Sequence, residues 1–443
     1  MAVAPPPYMT QLIGQAQLLA THSWEWGTLS QALLEWYDPQ YSVFADNPFP
    51  NASVPRTDPN DVAGLRYATR HIYLDDVVLA DGDGMAFQFY FAVVALVVFV
   101  PPFCSARCTP VSCFSVPEHQ PALLDQNSLY NHLNSLTHFP GSSADPASLG
   151  VSAVLLGAVT PSYRAAAQRQ YEHLVQTVPR WPNGAISHRE GYAELWADFV
   201  SMVPPFLAYY AVAAGDAAAL AEAGRQVELY GDVLASRRQE PDALSSISPA
   251  GLWRHIVGPV HADPGLWSTG NAWTAHGAAR VLATINHARP FLSTSPNISV
   301  SFNLTQHSAR LATTIKRILD AAICLDAASP PSPLLRNYLN DSSWFGDAAG
   351  TALLAAAAYR AVVLDAALFP PERYAAWAHR KREAVDAVVD RDTGIVGQGR
   401  VVNPLDWGDR VPAAKSPEAQ SFAVMLFAAY RDYVAKMGGV ERR

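Results

Sequence analysis

GAISHREGYAELWADFVSMVPPFLAYY, residues 184–210, decides how the rest of the chain is read. Its second half is apolar and carries Pro204-Pro205 just before Phe206-Leu-Ala-Tyr-Tyr. Prolines suit the first turn of a helix, where their missing N–H costs nothing, so a new helix is expected there. Its first half is polar and brings one carboxylate into apolar company. That residue is Asp198, flanked by Trp196, Phe199, Val200 and Met202.

Helical text continues outward in both directions. Residues 162–178 place Tyr163, Ala167, Tyr171, Leu174 and Val178 at three- and four-residue spacing. Residues 217–234, 274–288, 308–322, 348–367, 371–389 and 417–434 read as further helices of 12 to 20 residues, divided by Gly, Pro, Ser or Asp clusters. Few stretches alternate as half-buried strands do. No fixed-period self-similarity marks a solenoid. The expectation is an all-α chain with one domain over residues 1–443, a closed toroid of helical hairpins whose loops meet at one end.

Composition narrows the classes of function. Half of the 443 residues are hydrophobic and 16% are charged, which excludes a disordered or collagen-like chain. The net charge is −8 with no basic run, so no nucleic-acid partner is expected. The N-terminus shows no basic region followed by an apolar one, so the expected location is cytoplasmic. Four Asn-x-Ser/Thr sequons, at Asn51, Asn297, Asn303 and Asn340, are then chance matches.

A carboxylate held in an apolar pocket has a raised pKa, which suits a general acid near neutral pH. Asp198 fits that description, and its alternative is an acid that starts or caps a helix. Asp145, in SSADPASLGVSAVLLG, is a second isolated acid before an apolar helix, and it too reads as an ordinary N-cap. A pair of such acids across a pocket would be glycosidase-like. Trp253, Trp267 and Trp273 fall in GLWRHIVG and DPGLWSTGNAW, loop-like text rich in Gly, His and Asp. Indole faces stack on the C–H faces of sugars, and Asn271, His255 and Ser268 lie nearby as partners for the hydroxyls. The alternative is tryptophans that plug helix ends. His188 and His255 suit orientation of a substrate or a water, or else a structural role. No phosphate loop, nucleophile elbow or His-x-x-x-His pair appears, and no metal or cofactor is expected.

Taken together, SHR…LWADFVSMVPPFLAYY, GLWRH and DPGLWSTGNAW resemble the six-hairpin glycosidases. More narrowly the chain is similar to glycoside hydrolase families 88 and 105, the unsaturated glucuronyl and rhamnogalacturonyl hydrolases. WFGDAAGTALLAAAAYR (344–360) and SPEAQSFAVMLFAAYRDY (416–433) resemble that group's last hairpins, and the likeness covers most of residues 10–84 and 142–436. It implies an (α/α)6 barrel. It implies as substrate an oligosaccharide with a Δ4,5-unsaturated uronic acid at its non-reducing end, of the kind that lyases leave in pectin degradation. It implies hydration of the C4=C5 bond rather than attack at the anomeric carbon. By the match, Asp198 is the acid/base and Asp145 the second acid lining the pocket. Trp196 is the aromatic two residues before the acid, His255 the pocket histidine, and Trp273 the tryptophan of an Arg-Gly-Asn-Gly-Trp motif. Here that motif reads Thr269-Gly270-Asn271-Ala272-Trp273. An arginine forks onto a carboxylate through two bonds, and a threonine cannot. Two other readings stay open: a non-catalytic sugar-binding relative, and another (α/α)-barrel sugar enzyme such as an inverting hydrolase or an epimerase.

Residues 85–141 match none of this. Their apolar run, Phe89 to Val100, ends in Pro101-Pro102 and is shorter than the roughly 20 residues a spanning helix needs, so no membrane partner is expected. Cys104, Cys108 and Cys113, with His119 downstream, do not have zinc-site spacing. Joining Gly84 to Ser142 leads smoothly into the Asp145 motif. Codons for Gly84-Met85-Ala86 accommodate a splice donor, and those for Leu136-Thr137 and Phe139-Pro140-Gly141 a branch site and an acceptor. The phase closes on a single glycine. The segment is therefore read as an atypical insertion that began as a retained intron. Transcript reads across the junction are expected to include spliced forms without codons 85–141, and reads that always keep them overturn this origin.

Overall fold

The structure is a computed structural model that describes residues 4–74, 135–137, 141–236, 250–292, 298–328 and 332–438. Most of the segment read as an insertion, with Cys104, Cys108, Cys113 and His119, lies outside the described residues. Of that segment, Leu136 is packed into the fold: it is buried, its N–H donates to Gln170 Oε1, and its carbonyl accepts from the Tyr73 N–H.

The described chain is built of helices, taken in order as hairpins. The first is α1 (Met9–Leu19) with α2 (Ser23–Tyr37). Next come α3 (Ala63–Ala68) and the short pair α4 (Ala144–Ala147) and α5 (Gly150–Gly157). The following hairpins are α6 (Pro161–Gln176) with α7 (Phe199–Ala214), and α8 (Ala217–Leu234) with α9 (Ser268–Leu292). Last are α10 (Ile298–Ala328) with α11 (Ala348–Leu364), and α12 (Tyr374–Asp386) with α13 (Pro417–Met437).

Contacts run around a ring. α2 touches α4 and α5, which touch α7, followed by α9, α11 and α13, and α13 returns to α2. α3, α6, α8, α10, α12 and α1 pack against this ring, giving the expected (α/α)6 arrangement. Sequence sorts the two layers. α11 is buried from Ala348 to Val362, and its alanines let neighbours approach closely. α6 buries only a stripe, Ala166, Ala167, Gln170, His173 and Leu174, as an outer amphipathic helix should.

Three expectations are corrected. α9 starts at Ser268, so Asn271 and Trp273 are helical rather than in a loop. α10 runs for 31 residues, beyond the expected range. α7 starts at Phe199, which puts Pro204 and Pro205 inside it rather than at its first turn. A proline leaves the carbonyl four residues earlier without its helical donor. Pro205 so frees the Ser201 carbonyl, which accepts instead from Arg280 Nη1 at 3.0 Å. The Val200 carbonyl faces Gly277, where a Cβ would come within 2.3 Å. Two strands of two residues, β1 (Leu195–Trp196) and β2 (Ile256–Val257), pair antiparallel. Among the described residues no helix is long and apolar enough to cross a membrane.

The ring encloses charge. Glu35 on α2 and Arg360 on α11 are wholly buried and lie 2.8 Å apart. Gln31 Nε2 donates to Glu35 Oε1 and Arg280 Nη2 donates to Gln31 Oε1, at 2.8 and 3.0 Å. Arg360 Nη1 reaches Asp432 Oδ2 at 2.6 Å. Burial alone would raise the Glu35 carboxyl, but the charges of Arg360 and His276 hold it below its ordinary value. Removing one partner of a buried pair costs about 3–5 kcal/mol, because the other charge is left bare. Glu35→Ala is expected to lose stability on that scale in chemical denaturation, and Glu35→Met with Arg360→Met to lose less.

Candidate active site

The starts of the inner helices meet at one end of the ring. Glu25 and Asp145 lie in the first turns of α2 and α4, and Asp198 stands at the N-cap of α7. Ser268 and Thr269 open α9, Asp347 caps α11, and Glu418 is in the first turn of α13. These groups feel one another's charge: Asp198 and Glu25 act on Asp145, and Asp198, Glu25 and Asp347 act on Glu418. Helix N-termini favour negative groups, so each acid is at home where it sits.

A two-residue ribbon places the central pair. β1 sets Trp196 opposite Ile256 on β2, and the Ala197 N–H donates to the His255 carbonyl at 2.9 Å. Asp198 follows directly and lies beside His255, with His255 Nε2 3.3 Å from Asp198 Oδ2. The two atoms attract but are not aligned as a hydrogen bond, and both are buried and otherwise unpartnered. The Asp198 side chain makes no cap bond to its own helix, so its carboxylate is not consumed by capping. His255 Nδ1 is 3.0 Å from Asp263 Oδ2, and Asp263 also accepts from the Tyr338 hydroxyl at 2.5 Å and the Gly265 N–H at 2.9 Å. Burial would lower His255, but Asp198 and Asp263 together raise it above an ordinary histidine.

Asp145 is the second acid at this end of the ring. Burial pushes its carboxyl up to about 7 against the pull of Ser142 and Arg189, with Asp198 adding to the rise. It is not an N-cap, since Ser143 holds that position. His188 Nε2 lies 3.5 Å from Asp145 Oδ1. Burial, then the Arg189 charge, drives His188 well below its ordinary pKa, so it stays neutral. Its ring stacks on Trp196 at 4.7 Å and 10°. Trp196 is fixed in turn by Glu194, whose Oε1 accepts its indole N–H at 2.9 Å.

The structure thus brings Asp198, Asp145, His188, His255 and Trp196 together. Trp267 is buried beneath them, its ring 4.4 Å from His255 and its N–H on Asn337 Oδ1 at 2.8 Å. Trp273 is buried edge-on to Phe422 with its indole nitrogen unpartnered. Trp253 sits in the barrel core against Gly231, as buried as Trp267 and Trp273. Asn271 is wholly buried, and its carboxamide accepts the Trp253 N–H and donates to the Trp253 and Trp267 carbonyls. It shapes the wall from behind. Thr269 is also buried, with its hydroxyl 3.4 Å from Asp347 Oδ2. Burial pushes Asp347 up to about 6 and holds Glu418 well above an ordinary glutamate.

Sequence reasoning missed Asp263, Asp347, Glu418 and Trp407. Asp347 and Glu418 carry the signature read at Asp145, an isolated acid at the start of an apolar helix. Asp263 reads only as a turn residue. Trp407 has no signal, yet its ring lies 5.2 Å from Trp196 and 5.0 Å from His255.

Known proteins bear on this geometry. Residues 144–298, which contain Asp145, Asp198 and His255, match the model of Glycosyl Hydrolase Family 88. A possible member of family 105 from Salmonella enterica serovar Paratyphi A superposes with a TM-score of 0.50 at 19% identity, covering 65% of this chain and 71% of its own. One from Klebsiella pneumoniae gives 0.50 at 19%, over 65% and 70%. A family 105 glycoside hydrolase from C. acetobutylicum gives 0.50 at 13%, over 66% and 81%. They share the fold. No curated protein matches the chain.

In Asp263→Asn, His255 loses one of the two carboxylates that raise its pKa. Its pKa is expected to fall, as read from an NMR titration of the His255 ring. An unchanged titration would show that Asp263 does not hold it.

Proposed function

We propose that this chain, a glycoside hydrolase of the six-hairpin, family 88/105 kind, releases Δ4,5-unsaturated uronic acid from oligosaccharides by hydrating the C4=C5 bond. The observation that carries the reading is the buried Asp198–His255 pair, 3.3 Å apart and unaligned, at the same end of the ring as an Asp145 whose carboxyl is pushed up to about 7. Its substrates are lyase products of pectin or of glycosaminoglycan.

In this reading Asp198 gives a proton to C4. Positive charge then develops over C5 and the ring oxygen, next to a new carboxylate. That carboxylate takes a proton from the water that adds to C5, so Asp198 ends the step as it began. The C5 hemiketal opens, and C1 releases the remaining sugar. His255, anchored by Asp263, steadies the Asp198 carboxylate during the interval when it is charged. Asp145, uncharged, offers a hydrogen bond to a sugar hydroxyl without placing a second negative charge beside the first. The two acids are thereby given different work by different surroundings.

The substrate carboxylate needs a cation, and Thr269 is not one. Arg189 takes that part. Its charge reaches both Asp145 and His188, its guanidinium lies 5.8 Å from the Trp196 ring centre, and its Nε has no partner.

Asp198→Asn keeps the shape of the acid and removes its proton chemistry. Loss of a positioned acid/base costs about 10²–10⁴-fold in rate. The variant is expected to stop the decay of double-bond absorbance on lyase-digested pectin or glycosaminoglycan while still binding the substrate. Full activity would sink the assignment.

A further inference from the structure

At the far end of the ring from the acids lies a cavity of about 310 Å³, inside the ~300–1,000 Å³ range of small-molecule sites. It is set between the ends of α5 and α7 and the first turns of α6, and residues 53, 54 and 56 close one side. α7 starts beside Asp198 and runs 16 residues to the cavity, roughly 24 Å along the helix. The cavity is therefore separate from the acid pair, and its reading does not depend on the proposed hydrolysis.

Its floor is apolar and its rim is basic. Val54, Val154, Ala158 and Ala167 are buried beneath it. Arg56 and Arg164 stand exposed on the rim, one on the chain before α3 and one on α6. Among the described residues neither guanidinium has a carboxylate partner, and Arg164 uses only its Nε, on the Gly157 carbonyl at 3.1 Å. No acid lines the cavity among the described residues. Glu172 and Asp216, whose charges reach Tyr210 in its wall, are engaged elsewhere. Glu172 accepts from Gln168 Nε2 at 2.8 Å, and Asp216 accepts the Ala218 and Ala219 N–H groups as the N-cap of α8. Tyr210 gives the wall an aromatic ring, held by stacking on Tyr171 at 4.2 Å and 14°.

The backbone that closes the cavity is strained. Asn51 and Ala52 are both left-handed, at φ 56° and 58°, and among the described residues no other non-glycine has a positive φ. A Cβ in that region crowds the following carbonyl, and such strain persists only where the surroundings hold it. Here it turns the chain so that Val54 enters the floor and Arg56 reaches the rim.

Guanidinium groups without carboxylate partners, set over an apolar floor, call for an anion that has a body. A bare inorganic anion would leave the floor empty. A sugar acid would bury hydroxyls against valine and alanine, where they find no partners. We infer that this cavity binds a compact aromatic carboxylate, its charged group held at the rim by Arg56 and Arg164 and its ring laid on Val54, Val154 and Tyr210.

The test is calorimetry on the full chain with three probes: benzoate, its uncharged analogue benzamide, and inorganic phosphate. Benzoate is expected to bind at one site with a Kd of about 1 mM or tighter. Benzamide lacks the charge and phosphate lacks the body, so each is expected to bind at least about tenfold more weakly. Arg56→Gln disturbs no described protein partner and is expected to weaken benzoate about tenfold, while Asp198→Asn leaves its affinity unchanged. Arg164→Gln should weaken it as well, and because that variant also frees the Gly157 carbonyl, Arg56→Gln is the deciding one. Absence of benzoate binding overturns the site, as does an affinity that Arg56→Gln leaves unaltered. Phosphate bound as tightly as benzoate overturns the aromatic carboxylate, and benzamide bound as tightly overturns the part given to the arginines.

Discussion

Glu35 and Arg360 face each other 2.8 Å apart and shut off from water, and the helices that carry them cannot separate without leaving a bare charge in an apolar interior. The pair joins α2 to α11, and its extensions reach α9 through Gln31 and Arg280 and α13 through Asp432. Four of the inner helices are so tied at one depth. Arg280 then serves twice, because its other nitrogen takes the carbonyl that Pro205 leaves free on α7. A helix with two prolines in it is therefore tolerated where the ring needs it. The Phe44 ring, 4.4 Å from the Arg360 guanidinium, covers the charge further.

With that depth fixed, the beginnings of the inner helices define the other end. Their positive ends make it a place where acids gather, and burial makes it a place where acids resist ionising. Asp145, Asp347 and Glu418 all respond by holding protons more tightly than free carboxyls do. Asp198 is set apart by its neighbour. It alone among these acids faces a histidine that is backed by a second carboxylate.

Much of this was legible in the sequence, and the exceptions have physical causes. Asp198 stood out for its apolar flanks, and Asp145 as an isolated acid before an apolar helix. Asp347 and Glu418 have the same local text, but only the ring brings residues so far apart in sequence to one mouth. Asn271 looked like a sugar partner because it lies among Gly, Ser and Trp. Its amide is instead used up by backbone groups of the segment it seemed to decorate. Trp253 was misplaced for the same reason, since loop-like composition does not say which side of a loop is buried. Pro204-Pro205 marked a helix correctly and its start wrongly, because the compensating donor, Arg280, comes from another helix. Trp407 lies in polar text with no period at all, and its role depends on contacts that no local pattern encodes.

The threonine at 269 has consequences for how a uronate would lie. Its side chain points into the protein and engages Asp347, so this wall of the pocket offers no positive charge. An arginine there would set a guanidinium against Asp347, draw that acid down from its raised value, and give the substrate carboxylate a partner on the α9 side. Here the guanidinium that reaches the pocket acids is Arg189, on the α4 side, next to Asp145, His188 and Trp196. On the proposed reading the substrate carboxylate turns toward that side, and the uronate ring turns with it over the His188–Trp196 stack.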